Sequence, residues 1–76
     1  MTVRCKFMVN SIRHYHTTQP DLVCAEVLMA PVFGEANEAW SKATPQGEIK
    51  MLITNPKAIG ALDLGRQYFV DISPAD

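Results

Sequence analysis

The chain has 76 residues, is 47% apolar and 20% charged, and carries a net charge of −1. That composition excludes an intrinsically disordered chain, and the near-neutral charge excludes a surface given over wholly to duplex DNA, which needs many cations against phosphates. A chain this short builds one core, worth only about 3–5 kcal/mol unaided, and gains from a staple or a second subunit.

Residues 2–16 alternate. Val3, Cys5, Phe7 and Val9 share one face, and Arg4, Lys6, Met8 and Asn10 share the other. This period of two predicts a strand with one dry side. "TTQPD" then supplies turn chemistry, with Pro20 fixing φ and Asp21 able to bond neighbouring backbone. Residues 22–33 predict a second strand, with Val23, Ala25, Val27 and Met29 on one face. Leu22, Cys24, Leu28 and Val32 lie on the other, broken by Glu26. A strand apolar on both sides is central or covered. Pro31 cannot donate to a ladder and marks its end or an edge.

Gly34 breaks the strand, and residues 35–42 read as a short helix capped by Gly34 or Asn37. One or two turns do not stand alone, so Trp40 and Phe33 are expected to pin them to the sheet. "TPQG" turns the chain into a third strand over 47–55, with Ile49, Met51 and Ile53 inward and Glu48, Lys50 and Thr54 outward. Pro56 suits a first helical position and Gly60 a stop. A turn at Asp63-Leu64-Gly65 leads into a fourth strand over 66–73, with Tyr68, Val70 and Ile72 on one side, ended by Pro74. The expectation is one mainly β domain over residues 1–76: a small antiparallel β-barrel or curled sheet of about four strands with one or two short helical turns.

A hairpin about "TTQPD" sets Cys24 near His14 or Tyr15 and Cys5 near Phe33, too far apart for a disulfide. The thiols are read as reduced core hydrophobes. No segment approaches the roughly 18 apolar residues that span a bilayer. Arg4 and Lys6 interrupt the opening apolar residues, unlike a signal peptide. No membrane association and a cytoplasmic setting are expected.

Chemistry-bearing patterns are few. "HYH" puts His14 and His16 on one strand face about 7 Å apart, and a metal would need further ligands such as Cys24 or Glu26; the alternative is a water-exposed strand end, and no cofactor is expected. No nucleophile signature, phosphate loop, CxxC or HExxH is present, so the chain is not read as an enzyme. Trp40 and Lys42, with Arg4, Lys6 and Lys50, could form a stacking platform and basic groove for single-stranded nucleic acid, as small barrels do. The competing reading makes Trp40 the plug that holds the short helix on the sheet.

The strings "WSKATPQGEIKMLITNP" and "LDLGRQYFVDISPAD" resemble a family of small, uncharacterised proteins of tailed bacteriophages and prophages. Its pattern runs from an aromatic through a "KATPxG" turn, a strand and an "NP" link to a "PGxxYYVDFTPA" tail. Gly65, Tyr68, Val70, Asp71, Ser73, Pro74 and Ala75 fit that tail, while Leu64 stands where proline is more usual. The likeness covers roughly the second half of the chain and, more weakly, "VRCKF". It implies a phage-type setting, in the host cytoplasm or the virion, and no reaction.

The surplus of apolar residues points to protein–protein contact. Met8, Leu22, Leu28 and Leu52 fall on nominally outer faces with no second layer to cover them. A homo-oligomer is therefore expected, with a phage or host protein as a further partner. A single-stranded nucleic-acid-binding module of the OB-like small-barrel type is the alternative.

Overall fold

The computed structural model describes residues 2–76. Four strands carry the fold: β1 Val3–His14, β2 Ala25–Pro31, β3 Ile49–Ile53 and β4 Gln67–Ile72. A 3-10 turn, Glu35–Asn37, follows β2, and one short helix, α1 Pro56–Ile59, follows β3. All pairings are antiparallel in the order β3-β2-β1-β4, giving a curled half-barrel sheet. The mainly β expectation holds. No helix among the described residues is long and apolar enough to cross a membrane.

The greasy second strand is central, between β1 and β3, as apolarity on both faces requires. It ends at Pro31. Alternation places Cys5, Phe7, Val9, Ala25, Val27 and Met29 in the buried core, with Ile49, Ile53, Tyr68 and Val70 packed around it. The register brings Cys5 opposite Val70, Phe7 opposite Tyr68 and Val9 opposite Met29, so the core side chains of adjacent strands meet on one face.

Simple alternation fails once. The ladder shifts between Val9 and Ser11, so that Ile12, and not Ser11, faces the core opposite Val27. The extra residue, Asn10, is a bulge, which bends and twists β1. The strand then ends at His14, two residues short of the expected limit.

The two links fold over the same face. α1 forms for the expected reason: Pro56 is at its first turn, and the Asn55 side chain accepts from the Lys57 N–H at 3.0 Å. Ile59 and Leu62 reach the core. The chain returns to β4 through a turn in which Gly65 has φ +83° and its N–H bonds Val9 O at 2.8 Å. Arg66 O takes the Val9 N–H at 3.1 Å. Only glycine adopts that φ without strain. A Cβ there would meet nothing within 4 Å, so Gly65→Ala reports conformation alone. We expect it to lower stability by about 1–2 kcal/mol in urea unfolding.

The helix expected over 35–42 is reduced to the 3-10 turn. Gly34 is its N-cap, at φ 115°, whereas Asn37 is not a cap at all. It is fully buried. Val32 N–H bonds Lys6 O at 3.0 Å, the last backbone bond between the two segments. There the Asn37 carboxamide takes over from β2: its Oδ1 accepts from the Lys6 N–H at 2.7 Å, and its Nδ2 donates to Lys6 O at 2.9 Å and Val32 O at 2.7 Å. Oδ1 also accepts from Trp40 Nε1 at 2.9 Å. One side chain thus extends the ladder and fixes the indole, which is half-buried against the core. The stretch from Trp40 to Ile53 is a corner of the fold, as the plug reading expects of Trp40; Phe33, expected to help pin it, is instead exposed to solvent.

Candidate functional site

Both links cover the core face, leaving the opposite face of the sheet bare. Strand parity assigns Arg4, Lys6, Met8 and, beyond the bulge, Ser11 and Arg13 of β1 to it, with Glu26, Leu28 and Ala30 of β2, Lys50 and Leu52 of β3, and Gln67, Phe69 and Asp71 of β4. The register arranges its apolar members in a diagonal. Phe69 sits opposite Lys6 and one step from Met8; Met8 faces Ala30; Leu28 follows on β2; Leu52 lies diagonally beyond it on β3. One large apolar side chain per strand therefore forms a stripe across all four. Phe69 is 60% exposed and Leu52 62%, while Met8 and Leu28 are half-buried.

Charged residues flank the stripe. At one end Arg4 holds Asp71 through two bonds, Nε to Oδ1 at 2.7 Å and a second nitrogen to Oδ2 at 3.1 Å. The same guanidinium lies 4.8 Å from the Phe69 ring centre, and Lys6 Nζ lies 5.7 Å away. At the other end Lys50 approaches Glu26 at 3.8 Å. The hydrogen bond from Arg4 lowers the pKa of the Asp71 carboxyl; desolvation opposes it, and the charge of Arg4 adds in the lowering sense. A carboxyl depressed in the folded state stabilises above its unfolded pKa, and that contribution is lost as the pH falls through the folded value. Both partners are exposed, so the effect is small. Asp71→Asn should flatten the acid side of the stability profile slightly, as read from urea midpoints at stepped pH.

Of the residues expected at a self-association surface, Met8, Leu28 and Leu52 are brought together on this stripe. Leu22 is not: it lies in the loop before β2, 40% exposed. Phe69 joins Met8, Leu28 and Leu52 there, its outward direction implied by strand parity at Tyr68 and Val70.

The residues considered for nucleic acid do not form one surface. Arg4, Lys6 and Lys50 are on the bare face, but Trp40 packs on the core side and Lys42 sits in its loop. Trp40 has its N–H committed to Asn37. The exposed aromatic ring beside cations on the bare face is Phe69.

His14 and His16 are both exposed. β1 ends at His14, so the strand does not hold His16 on its face. Glu26 lies against Lys50. No group of three or more His, Cys, Asp or Glu able to hold a metal occurs among the described residues. Cys5 is buried and Cys24 half-buried, both as free thiols. A concavity of about 690 Å³ is lined by Met8, Ala30, Pro31, Phe33, Pro45 and Gln67 among others, and no titratable side chain lines it.

The molecule is thin for its mass. Its extents are 45 × 30 × 16 Å and its radius of gyration is 14.4 Å, against about 11 Å for a compact domain of this length. Its accessible surface is 5715 Å², whereas a compact monomer of this mass exposes about 4,600 Å². The exposed tail over 73–76 adds to the surplus of about 1,100 Å², and the uncovered sheet face contributes the apolar stripe. Comparison with family models, with curated proteins and with solved structures finds no match, so the surface rests on its own geometry.

Proposed function

We propose that the protein is a non-enzymatic phage-type module that acts through protein–protein contact, first of all with copies of itself. It serves as a particle component or as an accessory directed at a host protein, in the host cytoplasm or the virion. The surplus of accessible surface carries this reading. A typical partner in a stable interface gives up about 800 Å², which the surplus matches in scale, and the exposed apolar stripe puts suitable chemistry there. The resemblance of "WSKATPQG" and "GRQYFVDISPAD" to small phage proteins supplies the setting.

Leu52→Glu tests the surface. Leu52 is 62% exposed, so the change should leave monomer stability within about 0.5 kcal/mol. It should weaken association in sedimentation velocity by removing the contact made through the face. Unaltered association would remove the stripe from the interface.

The second reading is single-stranded nucleic-acid binding, favoured by one observation: Phe69 stands exposed between Arg4 and Lys6. Against it, Asp71 is paired with Arg4 and Glu26 with Lys50, so two of the four cations on this face already have a carboxylate partner. Anisotropy of a labelled oligonucleotide at two salt concentrations separates the readings. Salt-sensitive binding that Phe69→Ala removes would favour nucleic acid.

A further inference from the structure

The sheet has two outer strands, and they differ. β3 is five residues long and carries Lys50, a residue that discourages strand addition. β4 has six residues, Gln67–Ile72, with no lysine or proline, and among the described residues pairs only with β1. Its free side is defined by the ladder. Val9 donates to Arg66 O, and hydrogen-bonded positions alternate along an antiparallel pair. With the observed register, Arg66, Tyr68, Val70 and Ile72 therefore direct their backbone groups toward β1. The opposite side of β1 agrees, since Lys6 directs its N–H and C=O to Asn37 and Val32. Gln67, Phe69 and Asp71 consequently point theirs outward.

Resting on the self-association reading, the geometry points to a twofold dimer in which β4 pairs antiparallel with β4 of a second copy, with Phe69 opposite Phe69. This register satisfies three constraints together. It makes Gln67, Phe69 and Asp71 the hydrogen-bonded positions on both strands, so every outward N–H and C=O between Gln67 and Asp71 finds a partner. It sets the Gln67 amide opposite the Asp71 carboxylate of the second copy, where Asp71, already bonded to Arg4, keeps acceptor capacity. It keeps both bare faces on one side of an eight-stranded sheet and joins the two apolar stripes at a Phe69 pair; because Leu52 lies on β3 at the far edge, the contact that Leu52→Glu probes is a second one, made by the face that edge pairing leaves open. Shifting the register by one residue would put core-facing side chains opposite outward-facing ones. Shifting it by two would set Phe69 opposite Asp71 or Gln67, according to direction, and either way leave Gln67 without its carboxylate.

Cysteine cross-linking reads the register. In a Cys5→Ala, Cys24→Ala background, Phe69→Cys places two thiols at a pair with Cα atoms about 5.5 Å apart, inside the disulfide range. Mild oxidation should convert it to a covalent dimer. Gln67→Cys alone should not link, because its copies lie about 14 Å apart along the strand, whereas mixing Gln67→Cys with Asp71→Cys should give the mixed dimer. That mixed pair keeps Phe69, so a loss of affinity from removing the ring cannot mask the result. A dimer in sedimentation that links through neither combination overturns the β4 pairing and leaves the self-association reading standing. A monomer in sedimentation overturns both.

Discussion

Replacing Asn37 by alanine should lower folding stability by about 3 kcal/mol or more, enough to unfold much of the population of a domain whose total is about 4–11 kcal/mol. The carboxamide is fully buried and makes four hydrogen bonds. Alanine leaves the Lys6 N–H, the Trp40 indole N–H and Val32 O without this partner, while Lys6 O keeps the Val32 N–H. A buried group left unpaired costs about 1–3 kcal/mol. Asn37→Asp separates the two ends of the amide. It retains an acceptor for Lys6 and Trp40 but sets a carboxylate against the Lys6 and Val32 carbonyls. Burial and those carbonyls favour its protonated form, so its folded pKa lies above the unfolded value. The variant should be more stable at acid pH and lose stability as the pH rises through that folded pKa. Urea unfolding followed by circular dichroism checks both variants. A change under about 0.5 kcal/mol for Asn37→Ala would show that the ladder extension is dispensable.

Trp40→Ala should cost about 2–4 kcal/mol, at or below the range for a core aromatic because the indole is half-buried. It removes the plug against the core and frees residues 38–48 from the sheet. Trp40→Phe keeps most of the apolar contact and loses the bond to Asn37 Oδ1, at about 1 kcal/mol. Because that bond joins the two residues, Trp40→Phe should cost less in the Asn37→Ala background than alone. Strict additivity would mean that the 2.9 Å contact carries no coupling.

These two residues also show where the sequence was readable. The dry rows Val3-Cys5-Phe7-Val9 and Ala25-Val27-Met29 recur at a period of two, and the core is built from them. Asn55-Pro56 and Gly60 marked α1 because capping is local chemistry. Asn37 was hidden because its partners, Lys6 and Val32, are 31 and five residues away; among helix formers an asparagine reads as a cap. Residues 38–42 lost their expected helix to the same tertiary contact. The bulge at Asn10 has a local signature, two polar residues between Val9 and Ile12, yet its effect of turning Ile12 inward depends on pairing with Val27. Phe69 was legible by parity, but its importance follows from strand order. Only the order β3-β2-β1-β4 aligns Leu52, Leu28, Met8 and Phe69 into a stripe that ends at a free edge.

Sedimentation velocity over a concentration series tests most directly whether the chain associates with copies of itself. The structure predicts a reversible shift from an 8.4 kDa species to at least twice that mass as concentration rises. A single 8.4 kDa species up to the solubility limit would contradict it.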